Sequence, residues 1–328
     1  MILVTGGSGL VGQHLLSALT EAGHRVRAIC RNPIHTYYTP IQNQQVEWMY
    51  GDILDISFLE DAFDDIDIVY HCAALVSYDP QDADALMQTN VNGTANIVNA
   101  CLDAQVKTLC YVSSIAAIGE PKAEELRSEQ CEWKASQSLS NYARSKHAAE
   151  MEVWRGVAEG LDAIIVNPGI ILGEGDKNQS STRLFTWVEK EFPYYTQGST
   201  AWVDVKDVVK IMMLLMEKQI VNERFILSAG DFSYQDIFSR IAKILQKKPP
   251  YKKAGPTLSS FVWRWQWLRQ KLGGPKAMVT RETARSAQES KQYDNQKLLS
   301  HLPDFQYTRI DESLQRIIHY LRTQPKQV

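Results

Sequence analysis

At 328 residues the chain is too long for a single small core and too short for three domains, so one large α/β unit with a smaller appended lobe is expected. Apolar residues make up 44% of the chain and charged residues 22%, as is typical of a globular protein. A net charge of −3 gives no overall field that would favour nucleic acid or an acidic membrane surface. A small-molecule partner is therefore expected.

Cysteine usage and the first residues bear on cellular location. The five cysteines are an odd number without a C-x-x-C pair, which favours reduced core residues in a cytosolic protein. Met1 leads directly into an apolar run, without the basic region or cleavage site of an export signal. The most apolar predicted helix, 211–216, is far shorter than the roughly 20 residues that cross a bilayer. These patterns predict a cytoplasmic protein without a membrane span.

Short runs rich in β-branched or aromatic residues alternate with amphipathic helical segments along the first two thirds of the chain. Seven runs are predicted strands: 2–4, 25–30, 46–49, 66–71, 108–113, 163–166 and 225–227. Such alternation predicts a doubly wound parallel sheet with helices on both faces. The sheet domain is expected to comprise 1–169 plus about 203–230, and a smaller, mostly helical lobe about 170–202 plus 231–328.

A glycine-rich stretch, TGGSGLVG (5–12), follows the first predicted strand and opens a helix. Gly6, Gly9 and Gly12 would allow a tight turn and a close approach of the backbone to a pyrophosphate. The helix N-terminus at Leu10 and Val11 would supply N–H groups and the positive end of the helix dipole. The position between strand and helix predicts a dinucleotide site.

The end of the second predicted strand bears on the choice between NAD and NADP. Cys30-Arg31-Asn32 stands where an acidic residue would accept hydrogen bonds from a ribose 2′-hydroxyl. A guanidinium can instead bind a 2′-phosphate, so Arg31 favours NADP(H), with NAD possible. The alternative is that Arg31 only ends the strand in solvent.

Tyr142 and Lys146 lie four residues apart on one face of a predicted helix. They follow five predicted strands and come shortly after Ser113 and Ser114, at the end of the fifth. Because the carboxyl ends of parallel strands gather around the ligand crevice, this order would bring a hydroxyl, a phenol and an ammonium to a nicotinamide ring.

The ordered motifs of the chain resemble those of the extended short-chain dehydrogenase/reductases, also called NAD-dependent epimerase/dehydratases. The resemblance covers nearly the whole chain and rests on TGGSGLVG (5–12), GDILD (51–55), HCAAL (71–75), NVNGT (90–94), YVSSIAAIG (111–119), YARSK (142–146) and NPGIILGEGD (167–176). It implies a Rossmann fold in which the sheet domain binds the dinucleotide and the smaller lobe binds the substrate.

The resemblance also implies roles for single residues near the cofactor. Those expected to contact or support it are Asp52 at the adenine amine, the adjoining Ile53, Ala73 and Ala74 at a strand end, Asn90 at an inner helix, and Pro168 beside the nicotinamide. A possible homodimer is implied as well, with the helix at 83–102 or the helix bearing Tyr142 pairing across a two-fold axis.

The same resemblance assigns the chemistry to three side chains. Lys146 would hold the nicotinamide ribose and favour the ionised phenol of Tyr142, which would act as acid and base. Ser114 would donate to the substrate oxygen, and Ser113 is the weaker candidate for that role. The seven histidines include none at metal-ligand spacing, so no metal is expected.

The branch of the family is indicated by local differences. Ile115-Ala116 replaces the Asp-Glu pair of the sugar-nucleotide dehydratases, which argues against a dehydratase. NPGIILGEGD and Arg31 resemble the dihydroflavonol-reductase-like branch, although Gly169 stands where a small hydroxyl residue is common. An NADPH-dependent reductase of ketones or aldehydes is therefore favoured. The alternatives are a sugar epimerase that holds its cofactor tightly and a dinucleotide-sensing regulator without turnover, which would not need the Ser114, Tyr142 and Lys146 set.

Aromatic residues in the predicted smaller lobe have two interpretations. A mostly apolar ligand or a packed core would both account for Phe185, Trp187, Tyr194, Tyr195 and Trp202. The stretch FVWRWQW (261–267) is expected to pack against the sheet domain or a second copy, in preference to forming a substrate lid or a membrane contact.

Overall fold

The computed structural model describes residues 1–33, 39, 41, 43–121, 125–134, 139–176, 180–273 and 279–323. Twelve strands are formed by these residues: β1 (Ile2–Thr5), β2 (Val26–Cys30), β3 (Val46–Tyr50), β4 (Ile68–His71), β5 (Thr108–Val112), β6 (Ala163–Pro168), β7 (Ile170–Leu172), β8 (Tyr194–Tyr195), β9 (Ser199–Asp204), β10 (Glu223–Leu227), β11 (Gly230–Ser233) and β12 (Lys252–Lys253).

The same residues form twelve α-helices: α1 (Leu10–Glu21), α2 (Ile56–Ala62), α3 (Ala83–Leu86), α4 (Gly93–Asp103), α5 (Asn141–Ala158), α6 (Arg183–Glu189), α7 (Val205–Glu217), α8 (Tyr234–Leu245), α9 (Pro256–Lys271), α10 (Arg281–Ser286), α11 (Gln296–His301) and α12 (Ile310–Thr323). A π-helical segment, Met87–Asn92, joins α3 to α4. Within the described residues no helix is both long and apolar enough to cross a membrane.

The central sheet has seven strands in the order β10-β6-β5-β4-β1-β2-β3. Every neighbouring pair in it is parallel. The strand order reverses between β1 and β4, and such a switch point opens a crevice at the carboxyl ends of the strands. The seven strands predicted from the sequence are the seven strands of this sheet, so the doubly wound fold is confirmed.

Helices cover both faces of the sheet because alternate side chains of each buried strand point to opposite faces. On one face Val4 packs in a cluster with Leu16 of α1 and with residues of α7. On the other face Leu3 packs with Ile97 of α4 and Val153 of α5. This two-sided burial fixes the β1 end against α1 and the β5 end against α5, where the candidate site residues lie.

A second apolar core lies beside the sheet. It joins the small sheet β11-β9-β7 to α6, α8 and α12. Phe185 and Trp202 belong to this core, and the Trp202 indole N–H donates to the Phe232 carbonyl at 3.0 Å. The core interpretation therefore holds for these two aromatic residues. The division of the chain near residues 169, 203 and 230 stays a prediction.

Candidate active site

The glycine loop joins β1 to α1 in a close turn. Gly6 has φ +68°, a left-handed conformation that favours glycine, and its carbonyl accepts from the Gly9 N–H at 2.9 Å. A Cβ at Gly12 would lie 2.2 Å from the Gly6 oxygen, so any side chain there would collide with the turn. The α1 N-cap, Gly9, makes no side-chain cap hydrogen bond. No capping side chain from Gly9 therefore competes for the first N–H groups of α1, which an anion site would use.

The same loop touches the end of β4 at the switch point of the sheet. A Cβ at Gly6 would lie 2.7 Å from both the N and Cα of Ala73. The Ala73 N–H donates to the Thr5 hydroxyl at 3.2 Å, which holds the ends of β1 and β4 together. Ala74, the next residue, is exposed. The glycine loop and the adjoining end of β4 would therefore be the residues that hold the pyrophosphate of a dinucleotide.

The other predicted cofactor residues lie around this crevice. Arg31 is exposed just beyond the end of β2. Asp52 is half-buried, and its side chain accepts from the Leu54 N–H at 3.1 Å. The Ile53 side chain is buried in the core that packs against α4, and its carbonyl accepts from the Asn96 side chain at 3.1 Å. Pro168 ends β6 and is buried.

Ser114 and Tyr142 come together at the carboxyl end of β5. Tyr142 lies in the first turn of α5 with 8% of its surface exposed. Ser140 caps that helix by accepting from the Ala143 N–H at 2.9 Å, which fixes the start of α5. Burial raises the pKa of Tyr142, and a hydrogen bond with Ser114 acts in the opposite direction. Ser113 is 5% exposed, so Ser114 is the better placed of the two hydroxyls.

Lys146 lies one helical turn below Tyr142 and is 1% exposed. Its ammonium donates to the Tyr111 hydroxyl at 2.7 Å and to the Val112 carbonyl at 2.8 Å. Burial lowers the pKa of Lys146 to about 7, although the nearby Glu150 opposes the shift. An ammonium has three N–H donors, so after these two bonds one donor remains for a ribose hydroxyl.

The electrostatics differ from the sequence-based expectation in one respect. Lys146 was expected to favour the ionised phenol of Tyr142, but burial dominates and raises the pKa of that phenol. The physical reason is that the ammonium is directed to Tyr111 and Val112 on β5. Tyr142 therefore holds its proton through the neutral range.

The buried ammonium leads to a prediction for stability. Replacing Lys146 with Met should make the free energy of unfolding less dependent on pH between 7 and 10.5. In that window the unfolded chain keeps the lysine protonated while the folded chain does not, so the unfolded state binds more protons and wild-type stability rises with pH. The difference between wild type and variant should grow by at most about 1.4 kcal/mol per pH unit. Urea unfolding of both proteins across this window measures the difference.

A matched control is the exposed Lys253→Met. Its difference from wild type should stay constant across the same pH window. A constant difference for Lys146→Met as well would contradict the assignment of Lys146 as a buried group with a lowered pKa.

A chain of hydrogen bonds inside the sheet lies beside Tyr111, the residue that accepts from Lys146. His71 contacts the Thr5 hydroxyl through Nδ1 at 2.6 Å and the Thr94 hydroxyl through Nε2 at 3.0 Å. Its ring stacks on Tyr111 with centroids 5.4 Å apart, and burial lowers its pKa to about 3. A neutral imidazole next to Tyr111 adds no second positive charge near Lys146. Sequence reasoning placed His71 only as a strand-end residue, since the partners of its ring are distant in the chain.

Asn90 joins the loop after β4 to the start of α5. Its side chain accepts from the Leu75 N–H at 2.7 Å and donates to the Leu75 carbonyl at 2.9 Å. It also donates to the Ser145 hydroxyl at 2.9 Å, which in turn donates to the Tyr142 carbonyl at 2.9 Å. Asn90 therefore links the loop after β4 to the helix that carries Tyr142 and Lys146.

A buried carboxylate lies behind the site, one turn past Lys146. Glu150 is fully buried and accepts from Asn167 at 2.5 Å and from Arg224 at 3.3 Å. Burial raises the pKa of Glu150, and its partners oppose that shift. Asn167 also donates to the Ser114 carbonyl at 3.0 Å. This arrangement fixes the main chain of Ser114 relative to α5, and the sequence offered no signal for it beyond the NPGIILGEGD motif.

The fold and the crevice together define a class. A doubly wound sheet with a glycine loop at its switch point and a Ser114–Tyr142 contact above Lys146 is the arrangement of an NAD(P)-dependent enzyme. Residues 2–227 match the model of the NAD dependent epimerase/dehydratase family, so the chain belongs to that family. It is an NAD(P)-dependent oxidoreductase or epimerase of the extended short-chain dehydrogenase/reductase type.

Several relatives are named reductases. A provisionally named dihydroflavonol 4-reductase of Synechocystis sp. is 28% identical over 326 residues, covering 97% of this chain and 94% of the relative. Cinnamoyl-CoA reductase 1 of Petunia hybrida is 27% identical, covering 88% and 92% of the two chains. The crystal structure of gox2253 superposes with a TM-score of 0.82 at 28% identity and covers 98% of each chain. Within the part of the chain that the structure describes, no group of three or more His, Cys, Asp or Glu residues could hold a metal ion.

Proposed function

We propose that this protein is an NADPH-dependent reductase of ketones or aldehydes in which Tyr142 is the proton donor. The observation that carries the proposal is that Tyr142 and Lys146 are both buried, one helical turn apart at the start of α5, with Ser114 near the phenol. A protein that only sensed the dinucleotide would not need these three groups together. The names of the reductase relatives support the same direction of reaction.

The reaction adds a hydride to the carbonyl carbon and a proton to the carbonyl oxygen. NADPH, when bound, supplies the hydride. The glycine loop and the α1 N-terminus would hold its pyrophosphate, and Pro168 would border the nicotinamide. Lys146 would orient the nicotinamide ribose through its remaining N–H.

The side chains of the site have separate roles in the proton transfer. The raised pKa of Tyr142 keeps the phenol protonated at neutral pH, so it can donate to the oxygen that gains charge. Ser114 donates a hydrogen bond to the same oxygen and stabilises its charge. Where Lys146 is protonated, its charge would also stabilise the phenolate that remains after transfer. The products are an alcohol and the oxidised cofactor.

The substrate is proposed to be small and partly apolar. The Tyr78 ring lies 5.5 Å from the Tyr142 ring, centroid to centroid, on the loop that follows β4. Val76 on the same loop is exposed, so this side of the site offers apolar surface. We assign the remaining contacts to the lobe built from 170–202 and 231–328.

Incubation of the purified protein with NADPH and a panel of aldehydes and ketones tests the proposal. Loss of the nicotinamide absorbance in proportion to alcohol formed is the expected result. Isomerisation of a sugar substrate without net loss of NADPH would show that the protein is an epimerase and not a reductase. Tight binding of the cofactor with neither reaction would indicate a dinucleotide-sensing regulator without turnover.

Arg31 is proposed to select NADPH. Replacing Arg31 with Ala should raise the Kd for NADPH about 10-fold or more and leave the Kd for NADH nearly unchanged, because a charged hydrogen bond to the 2′-phosphate is lost. Its control is Arg25→Ala, since Arg25 is an exposed arginine at the opposite end of the same strand. Titration calorimetry with both cofactors measures the effect. Equal changes for NADPH and NADH would refute the selection of cofactor by Arg31.

A further inference from the structure

Helix α9 carries an exposed stripe of large apolar side chains. The docking stripe consists of Leu258, Phe261, Trp265, Leu268 and Leu272. The spacing between these residues alternates between three and four, which places all five on one side of a helix. Their exposed fractions run from 36% at Leu258 to 80% at Leu272. A run of exposed apolar residues on one face marks an interaction surface, whereas single exposed residues do not.

The opposite face of α9 is fixed to the rest of the molecule by polar contacts. Gln266 accepts from the Val279 N–H at 2.9 Å, and Gln270 donates to the Asp79 carboxylate at 2.8 Å. The Ser259 hydroxyl accepts from Gln288 at 3.1 Å. These bonds set the rotation of the helix about its own axis. The docking stripe therefore faces solvent.

Cations flank the docking stripe on both sides. With 3.6 residues per turn, Arg264 and Lys271 lie along one edge of the stripe and Arg269 lies along the other. The 16 residues of α9 include no aspartate or glutamate. Arg264 and Lys271 also lie over indole rings, 4.7 Å from Trp263 and 4.4 Å from Trp267. Helix α9 is therefore cationic and rich in aromatic residues, although the net charge of the whole chain is −3.

We propose that α9 docks this protein on a lipid bilayer whose headgroups are anionic. A helix that exposes a row of apolar side chains flanked by cations can lie in the plane of the interface, with its apolar residues among the acyl chains and its cations at the phosphates. Tryptophan favours this depth because its indole is apolar and also carries an N–H. The mode of attachment that α9 offers is docking on the surface of the bilayer.

The docking stripe is less well suited to contact with a second copy of the chain than to contact with an anionic bilayer. Two α9 helices in contact would bring Arg264, Arg269 and Lys271 of each copy near those of the other, and α9 has no carboxylate to pair with them. Like charges across an interface oppose association. Anionic headgroups would neutralise the same cations. The sequence-based expectation that 261–267 packs against the sheet domain or a second copy therefore accounts for only one face of this helix.

The face of α9 opposite the docking stripe contacts the loop that borders the candidate active site. Gln270 binds Asp79, and Tyr78 beside it lies against Tyr142. A bilayer on the docking stripe would thus be separated from this loop by the width of α9. The docking proposal does not depend on the reductase activity, because it rests on the helix surface alone.

Vesicle flotation with the full chain tests the proposal. Wild type should float with vesicles of phosphatidylcholine mixed with phosphatidylglycerol, but not with phosphatidylcholine alone, and added salt should lower the floated fraction because it screens the headgroup charge. The double variant Phe261→Ser with Trp265→Ser should reduce the floated fraction about 10-fold or more, since it removes two large apolar side chains from the bilayer. Circular dichroism checks that this variant is folded.

Ile56→Ser combined with Met151→Ser is the matched control, because both residues are large, apolar and exposed but lie on other helices. This control should float like wild type. Absence of wild type from the mixed vesicles would overturn the proposal, as would equal flotation of all three proteins. So would a wild-type dimer in sedimentation that the Phe261→Ser, Trp265→Ser variant dissociates without any vesicle binding.

Discussion

Replacing Tyr142 with Phe is expected to lower kcat at least about 100-fold while leaving the Kd for NADPH nearly unchanged. The phenol is the proposed proton donor, and phenylalanine keeps the ring that packs against Tyr78. Only the hydroxyl, which lies near Ser114, is lost. Steady-state kinetics and cofactor titration on the same preparation separate the two effects.

Tyr70→Phe is the control for this experiment. Tyr70 is also a buried tyrosine of the sheet domain, but it belongs to the apolar core on the α1 face. Its loss should leave kcat close to the wild-type value. Undiminished turnover in Tyr142→Phe would remove Tyr142 from the reaction, and a parallel loss of NADPH affinity would assign it a structural role.

Replacing Arg316 with Met is expected to lower the free energy of unfolding by about 3 kcal/mol at neutral pH. Arg316 on α12 donates to Glu174 at 2.7 Å and to both oxygens of Asp204, at 2.9 and 2.7 Å. Asp204 is fully buried and Glu174 is nearly so, so the variant would leave two carboxylates without their cation. The expected loss lies at the lower end of the range for removing one partner of a buried ion pair, because the Arg316 side chain is 27% exposed.

The loss in Arg316→Met should shrink at low pH. Burial alone would raise the pKa of Glu174, but hydrogen bonds from His14 and Arg316 outweigh it and hold the pKa at about 2. A carboxyl whose pKa is lowered in the folded state stabilises the fold above its ordinary pKa, and that contribution is lost as the pH falls from about 4.5 towards about 2. Urea unfolding across this range should show the two proteins converging.

Arg240→Met is the matched control for Arg316→Met. Arg240 also contacts α12, through Asp311 at 3.0 Å, and it pairs with Asp236 at 3.0 Å within α8. These side chains are 35% to 44% exposed, so the change should cost less than about 1 kcal/mol. If both variants lost the same free energy of unfolding, the larger stabilisation assigned to the buried contacts of Arg316 would be contradicted.

Much of the fold could be predicted because its signals are local. Hydrophobic runs specify the seven central strands, and the glycine spacing specifies the turn at Gly6 and Gly12. Tyr142 and Lys146 are recognisable because four-residue spacing on a helix is also local. Trp202 was ambiguous, since apolar composition does not distinguish a core residue from one that lines a ligand site.

The polar interior of the site could not be predicted, because its partners are distant in sequence. The direction of Lys146 towards Tyr111 depends on how α5 crosses β5, and the neutral state of His71 follows from its burial between Thr5 and Thr94. The direction of the Tyr142 pKa shift follows from burial, which appears only after folding. The exposure of Trp265 is a similar case, since both faces of α9 carry apolar residues and only the contacts made by the other face decide which side faces out.

The central claim is that a hydride moves from NADPH to a carbonyl substrate and that the alcohol product is then released. Isotope tracing tests this claim most directly. NADPH labelled with deuterium at either hydrogen of the nicotinamide C4 would be incubated with a ketone or aldehyde that the protein consumes, and the alcohol examined by mass spectrometry. We expect one of the two labels to appear on the former carbonyl carbon, with one deuterium per NADPH oxidised. Alcohol formed without deuterium from either label, or label retained on the cofactor while the substrate only isomerises, would contradict this account.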